Sequence, residues 1–283
     1  MHDTQFDVSQ ETPAASGGRS IGQLVGILAR EGVAPIPGAF PPSWADQLAE
    51  DFDQLFAEAL QYDGGTAPRG PNRHYFAVHP ERVRGFISLV THPTVRGVAE
   101  EVLGPDYQFV ELAFDVPLPG AVDQPWHRDF VIPPETRLMH RLTSVAFNVT
   151  TVDVAENMGP FEIAPGTQFD DDAHFTAGMF PEATQRYQVL ARRSHPRRGD
   201  LSVRSPLTIH HGTANTSTLS RGVLVLGVVA PEVAADGPHD LTFTAEGFDR
   251  LPRGLRRHLR CRVVDGLEPI VQRHTIEGLL MGG

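Results

Sequence analysis

The chain has 283 residues, enough for one large domain with a full hydrophobic core. A net charge of −11 disfavours nucleic acid and anionic membranes as partners. There is no apolar run long enough to span a membrane, and the amino-terminal residues show no secretion-signal pattern. The single cysteine, Cys261, cannot form an internal disulfide, so we expect a cytoplasmic protein in a reducing compartment.

The basic side chains are all arginine, and the chain contains no lysine. This excludes Schiff-base chemistry on a lysine and the phosphate-binding lysine of a P-loop.

The first third of the chain predicts a short lead followed by helices. Residues 1–18 are polar and predict a disordered lead, and residues 19–283 are expected to form one domain. Ser20 is a candidate cap for a helix over residues 21–30, and residues 33–36 predict an extended segment. Ser43 is placed to cap a second helix, with Asp46 three residues on.

Residues 63–73 are rich in glycine and proline and predict a loop that could lie over a site, with Arg69 and Arg73 on it. Pro93 is expected to open another short helix that ends near Gly104.

From about residue 107 to 232 the pattern is rich in strands. Short apolar, β-branched runs separated by turn residues predict a sandwich or barrel. The predicted strands cover residues 108–116, 143–151, 161–164, 201–204, 207–210 and 223–230. The polar stretch 168–198 predicts an insertion or lid. Residues 236–283 predict an extension with an Arg-faced helix carrying Arg253, Arg256, Arg257, Arg260 and Arg262.

A His-x-Asp motif and a distant histidine are the features of this chain that carry chemistry. His127 and Asp129 can point to the same side of a strand end, and His210 or His211 can approach from a strand folded alongside. Two imidazoles and one carboxylate form the facial triad that holds non-heme Fe(II) and leaves coordination positions open.

Arg221 begins a strongly apolar run that predicts a buried strand. A guanidinium there is costly unless a carboxylate meets it. That carboxylate could belong to a bound dicarboxylate or to one of the chain's own acidic residues.

Together these segments resemble the phytanoyl-CoA dioxygenase family of Fe(II)- and 2-oxoglutarate-dependent oxygenases. The resemblance runs from about residue 20 to about 232. Its segments are residues 31–38, 103–106, 119–120, 124–129, 156–161, 165–167, 199–200 and 206–210, followed by Asn215 and Arg221. It implies a mainly β protein with flanking helices, built on a double-stranded β-helix (jelly-roll or cupin-like) barrel. It also implies iron, 2-oxoglutarate and O₂, with hydroxylation of an unactivated C–H bond as the commonest outcome.

The resemblance also implies roles for residues. His127, Asp129 and His210 would hold Fe(II), and Arg221 would pair with the distal carboxylate of 2-oxoglutarate. His210 meets the family spacing to Asn215 and Arg221 without a gap, although His211-Gly212-Thr213 resembles the His-Gly-Ser of several members.

Three further residues bear on the cosubstrate and the reaction type. Thr213 and Asn148 are candidate contacts of the cosubstrate. Family members that halogenate replace the carboxylate with a small residue, so Asp129 favours hydroxylation or a related oxidation.

Two other functional hypotheses compete with the oxygenase. A cupin-like isomerase or binding module would need the metal ligands but not Arg221. A zinc hydrolase is disfavoured because the chain has no His-Glu-x-x-His motif. We expect the partner to be a small or medium-sized metabolite of the kind handled in natural-product biosynthesis, and the oligomeric state is left open.

Overall fold

The structure is a computed structural model that describes residues 18–233 and 241–272. Its α-helices are α1 (Ile21–Glu31), α2 (Pro42–Ala59), α3 (Phe86–Thr91), α4 (Pro93–Leu103), α5 (Pro134–Met139), α6 (Gln185–Leu190), α7 (Ala245–Arg250) and α8 (Arg253–Arg256). A 3₁₀ helix covers Pro80–Arg82.

The strands fall into one large sheet and three smaller ones. They are β1 (Val33–Ile36), β2 (Ala67–Pro68), β3 (Arg73–Ala77), β4 (Gln108–Pro117), β5 (Ser144–Thr150), β6 (Phe161–Ile163), β7 (Phe175–Thr176), β8 (Phe180–Pro181), β9 (Arg192–Ser194), β10 (Leu201–Arg204), β11 (His210–Gly212), β12 (Val223–Val229), β13 (Leu241–Thr244) and β14 (Cys261–Val264).

The large sheet has seven strands in the order β1-β10-β5-β12-β4-β3-β2, and its neighbours pair antiparallel. A three-stranded sheet has the order β11-β6-β9, while β13-β14 and β7-β8 form two-stranded sheets. The expectation of a mainly β protein with flanking helices is therefore confirmed. Over the described residues, strand pairing gives separate sheets and no continuous ring.

The large sheet has one apolar face and one mixed face, because successive side chains on a strand point to opposite sides. The apolar face carries Phe76, Phe114, Phe147 and Leu224, which join the helices in the main hydrophobic core. The opposite face lines a cavity. Its residues include Tyr75, Glu111, Asp115, Asn148, Arg204, Val225 and Gly227.

The helix starts match the sequence at α1 but not at α2. Ser20 caps α1 in a full capping box, in which its side chain accepts from Gln23 N and the Gln23 side chain accepts from Ser20 N. The expectation that Ser43 caps α2 is wrong. The helix already begins at Pro42, because proline suits the first helical position, where no N–H is needed.

Two other expectations are corrected. Arg73 belongs to β3 and not to a loop, and its side chain is buried. The Arg-faced helix of the tail is replaced by the single turn α8 and by β14, which pairs in parallel with β13. Pairing with β13 gives this segment's backbone its hydrogen bonds, whereas an arginine-rich helix here would have little apolar surface to bury.

Of the remaining expectations for the chain's organisation, two stay predictions and one strand has different bounds. Residues 1–17, 234–240 and 273–283 lie outside the described residues, so the lead and much of the extension stay predictions. The division into one domain over 19–283 stays a prediction as well. The strand expected at 207–210 lies later, at β11.

Candidate metal centre and its cavity

Two hydrogen bonds bring the His-x-Asp segment beside β11. His127 N donates to His210 O at 2.9 Å, and His210 N donates to His127 O at 2.8 Å. Directly paired antiparallel residues place their side chains close together. The two imidazole centroids accordingly lie 4.5 Å apart.

Asp129 completes a group of three ligand side chains. One ligand atom from each of His127, Asp129 and His210 lies within 4.8 Å of the other two. Asp129 reaches this position because it is two residues from His127 and its own N–H is fixed by Pro206 O at 2.9 Å. The structure thus brings together the three residues that the sequence proposed as ligands.

The two imidazoles are oriented for metal binding through Nε2. Nδ1 of His127 lies 2.8 Å from Pro125 O, and Nδ1 of His210 lies 2.8 Å from Thr208 O. A carbonyl oxygen can only accept, so both Nδ1 atoms carry a proton, and in the neutral form of each ring the lone pair lies on Nε2. Such outer hydrogen bonds are typical of metal-binding histidines.

The electrostatics keep the ligands in the protonation states that a metal needs. Burial would raise the pKa of Asp129, but Arg204, His210 and His127 outweigh it and hold this pKa well below its usual value. Arg204 Nη1 lies 2.7 Å from Asp129 Oδ2. Burial, together with His210, lowers the pKa of His127 to about 3. Asp129 is therefore a carboxylate and His127 a neutral imidazole, which fits a divalent cation.

His211 points away from this group. Its Nε2 lies 2.7 Å from Glu162 Oε2, and its ring lies 4.2 Å from the Trp126 ring. Adjacent strand residues face opposite sides, so only one of the two histidines can reach the cavity. In this structure that residue is His210.

The metal-binding group opens on a cavity of about 660 Å³ between the large and the small sheets. Arg221 lines this cavity and is only 5% exposed. Its Nε donates to Met158 O at 3.2 Å and its Nη2 donates to Gly159 O at 2.8 Å. Among the described residues it forms no ion pair, so no acid of the chain is seen to neutralise it.

Burial lowers the pKa of Arg221 to about 10, against an opposing effect of Asp115. The guanidinium is therefore still charged at neutral pH. A buried cation that is held by carbonyl oxygens and reaches a cavity can bind an anionic group there.

The two secondary candidates are placed differently. Asn148 lies on the mixed face of β5 and lines the cavity. Thr213 does not line it: its hydroxyl donates to Pro160 O at 2.7 Å and its side chain is buried. The expected cosubstrate contact through the Thr213 hydroxyl is thus not supported, because a hydroxyl has one proton and it is already donated.

Comparison with known proteins identifies the family. The model of the family described as phytanoyl-CoA dioxygenase (PhyH) matches residues 28–223, well over half of the chain. The chain belongs to the phytanoyl-CoA dioxygenase family. A comparison with curated proteins gives no significant match.

Solved structures of similar fold share little sequence identity with this family member. The non-heme alpha ketoglutarate dependent carbocyclase SnoK from nogalamycin biosynthesis is 17% identical, with a TM-score of 0.59 over 78% of this chain and 87% of its own. The epimerase SnoN, in complex with Fe³⁺, alpha ketoglutarate and nogalamycin RO, is 17% identical with a TM-score of 0.59, covering 93% and 97%. HygX from Streptomyces hygroscopicus, with nickel and 2-oxoglutarate bound, is 14% identical with a TM-score of 0.55, covering 77% and 91%.

Two charged residues near the cavity, Arg73 and Asp115, belong to no motif of the sequence that indicates a role. Arg73 Nη2 donates to Thr213 O at 3.0 Å, and its Nη1 lies 3.5 Å from Asp115 Oδ2. Gly212 makes room for this guanidinium, since a Cβ at Gly212 would lie 2.5 Å from Arg73 Nη1. The strand alternation Arg73-x-Tyr75 was a usable signal, but the glycine-rich residues before it suggested a loop.

Over the part of the chain that the structure describes, we find no helix long and apolar enough to cross a membrane.

Proposed function

We propose that this member of the family is an Fe(II)- and 2-oxoglutarate-dependent dioxygenase that hydroxylates an unactivated C–H bond of a small or medium-sized metabolite. The observation that carries the proposal is one cavity with two features. It contains the His127, Asp129 and His210 ligand group, and at one end it contains Arg221, a buried guanidinium without an acidic partner among the described residues. A metal-binding module that binds no dicarboxylate cosubstrate would not need the buried guanidinium of Arg221.

The ligand residues are prepared for their role before a metal arrives. His127 and His210 present Nε2, and Arg204 holds one oxygen of Asp129 so that the carboxylate cannot turn away. Iron bound there supplies oxygen activation, coupled to oxidative decarboxylation of 2-oxoglutarate. Asp129 occupies the position that halogenating relatives vacate, which supports hydroxylation.

At the far end, Arg221 pairs with the distal carboxylate of 2-oxoglutarate. Arg73 adds a second cation nearby, and Asp115, beside Arg73, keeps the two guanidinium groups from an uncompensated repulsion. Asn148, which lines the cavity, is placed to donate to the cosubstrate. Walls of Val223 and Val225 exclude water along this side, which strengthens each charged contact.

The wider setting follows from the same proposal. We infer that the two main sheets form the halves of a double-stranded β-helix, as the resemblance implies, within one domain over residues 19–283. The substrate is a small molecule and neither nucleic acid nor membrane, given the charge of −11. The natural-product chemistry named for SnoK and SnoN supports a role in secondary metabolism. The single cysteine supports a cytoplasmic location.

The test uses purified protein under anaerobic conditions. Fe(II) and 2-oxoglutarate together are expected to give a weak visible charge-transfer band, and air is expected to give slow succinate release. Replacing His127, Asp129 or His210 singly with Ala removes the band, whereas His211→Ala keeps it. Binding of Fe(II) without any 2-oxoglutarate-dependent band would refute the proposal and favour the isomerase or binding-module reading.

A further inference from the structure

Arg69 lies on the cavity wall, and within residues 18–233 and 241–272 its guanidinium has no hydrogen-bond acceptor. It follows β2, and its main chain is fixed by Arg69 N donating to Arg73 O at 2.9 Å and by Gln124 Nε2 donating to Arg69 O at 3.1 Å. Its Cζ lies 4.6 Å from the centre of the Tyr75 ring. Its Nε is buried with no hydrogen-bond partner, and it forms no ion pair with any described residue. Buried donors of this kind are normally satisfied, so Arg69 needs an acceptor that no described residue supplies.

A carboxylate lies at the hydroxyl of Tyr75. The Tyr75 hydroxyl donates to Glu111 Oε1. Glu111 lies over Gly227, where a Cβ would come within 2.7 Å of Glu111 Oε2. Glu111 forms no ion pair within the described ranges, and its Oε2 accepts no hydrogen bond there. Tyr75 thus separates a guanidinium from a carboxylate, and each keeps capacity for another partner.

The other arginines that line the cavity already have hydrogen-bond partners. Arg204 is paired with Asp129, and Arg221 is held by main-chain carbonyls at the cosubstrate end. Arg69 alone has a guanidinium that faces the cavity without a hydrogen-bond acceptor in the described structure.

The floor between this group and the metal centre is made of small residues. Cross-strand pairing places Glu111, Gly227, Ala146 and Arg204 in one row across β4, β12, β5 and β10. Adjacent strands are about 4.8 Å apart, so the row spans about 14 Å from Glu111 to Arg204. Glycine and alanine in its middle leave room above the sheet for a molecule that reaches from Arg69 and Glu111 to the Asp129 side.

We propose that Arg69, Tyr75 and Glu111 form the recognition site for the primary substrate, which carries an anionic oxyacid group for Arg69 beside an N–H or O–H donor for Glu111. The proposal rests on the proposed function, since it names the substrate class of the same cavity. A carboxylate or a phosphate can pair bidentately with the planar guanidinium. An amine or hydroxyl next to it meets Glu111 Oε2, so a compound of the α-amino acid type satisfies both groups.

The experiment compares acids with their neutral amides in the full-length protein loaded with Fe(II) and 2-oxoglutarate without oxygen. The probes are the twenty standard α-amino acids, their α-carboxamides, and phosphoethanolamine with ethanolamine as the phosphate arm. The readout is the perturbation of the visible band, followed by stimulation of succinate release in air. At least one acid or phosphate ester is expected to perturb the band, while the matched amide or dephosphorylated compound does not.

Variants connect the response to the named residues. Arg69→Gln is expected to raise the half-saturating concentration of the active probe by about tenfold to a hundredfold, from the loss of a charge-assisted pair. Arg69→Lys restores only part of it. Glu111→Gln weakens amine-bearing probes more than hydroxyl-bearing ones. Arg253→Gln, an exposed arginine of α8, is the matched control and leaves probe binding unchanged.

The outcomes separate the two proposals. A wild-type protein that gives no band with Fe(II) and 2-oxoglutarate refutes the proposed function and this inference with it. A normal band refutes this inference alone if no anionic probe perturbs it, or if amides act as well as acids. A rise in the half-saturating 2-oxoglutarate concentration of Arg69→Gln, equal to the rise for the probe, would assign Arg69 to the cosubstrate and overturn the inference.

Discussion

Replacing Arg221 with alanine tests the cosubstrate end of the cavity most directly. The Arg221 side chain lies at the cavity end with two donors fixed on Met158 O and Gly159 O. These bonds hold the guanidinium in one orientation, so little side-chain entropy remains to be lost when a carboxylate binds. Arg221 forms no ion pair with a described acid, and Asp115 acts on its charge only from beside Arg73, so a bound carboxylate can form the direct charge-assisted pair.

The magnitude follows from hydrogen bonds to charged groups. Such bonds contribute about 1.5–3 kcal/mol net. At about 1.4 kcal/mol for each factor of ten, Arg221→Ala is expected to raise the half-saturating 2-oxoglutarate concentration by about tenfold to a hundredfold. Arg221→Lys should recover only part of this loss, because an ammonium group cannot reproduce the planar fork.

The assay is an anaerobic titration of the Fe(II)-loaded protein with 2-oxoglutarate, followed at the visible band. Iron affinity, measured in the same variants without 2-oxoglutarate, should barely change, since Arg221 is not among the three ligand residues. Arg253→Ala is the control for loss of a positive charge at the surface. An Arg221→Ala variant with the wild-type dependence on 2-oxoglutarate would refute the assignment of this end of the cavity.

Four further expectations can be checked by binding and unfolding measurements. Thr213→Val should leave the half-saturating 2-oxoglutarate concentration within about twofold yet lower the free energy of unfolding by about 1 kcal/mol, because it loses only the bond to Pro160 O; a large change in cosubstrate binding would restore Thr213 as a contact. Gly227→Ala should cost about 1–3 kcal/mol in urea unfolding because its Cβ meets Glu111, and the Gly227→Ala, Glu111→Ala double variant should recover only part of that loss, since the Glu111 Cβ would still lie 2.8 Å away. Ser20→Ala should cost about 1 kcal/mol in the same assay, through loss of the α1 cap, whereas Ser43→Ala should change little because Ser43 is not the cap of α2. For metal-free protein, the free energy of unfolding should fall as pH drops below about 6.5, since His127 is protonated in the unfolded chain but has a folded pKa of about 3, and His127→Gln should flatten this dependence.

The sequence was most informative where a local pattern decides the structure. Ser20 and Gln23 form a capping box within four residues of each other, and α1 follows from it. His127 and Asp129 share one side because they are two residues apart at a strand end. The apolar, β-branched runs of β5 and β12 likewise predict buried strands at nearly their observed bounds.

The sequence was least informative where long-range pairing decides the structure. Arg73 was assigned to a loop because Gly and Pro precede it, yet its pairing with Pro117 of β4 makes it the first residue of β3. Nothing local indicates that its guanidinium packs on Gly212. The sequence does not distinguish Glu111 from the rest of its 35 acidic residues. Cross-strand pairing places Glu111 opposite Gly227. Such contacts depend on the register between paired strands. The register is set by turn geometry and by the pattern of core residues together, so no single segment of the sequence predicts it.

A β-bulge in β4 explains how one strand can serve both the core and the cavity. Read by simple alternation, Phe109, Glu111, Ala113 and Asp115 would share one face. The pairing with β12 shifts between Gly227 and Val228, so that Glu111 pairs with Gly227 while Phe109 pairs with Val228. An extra residue in one strand reverses the side-chain direction beyond it.

As a consequence of the bulge, Phe109 packs in the hydrophobic core beside Tyr107, whereas Glu111 and Asp115 keep their carboxylates on the cavity side. Without this register shift, either Phe109 would fill the cavity or the carboxylates of Glu111 and Asp115 would enter the core. Burying unpaired carboxylates in the core would be costly. The bulge therefore allows one strand to carry Asp115 towards the Arg221 end and Glu111 towards the Arg69 side of the same cavity.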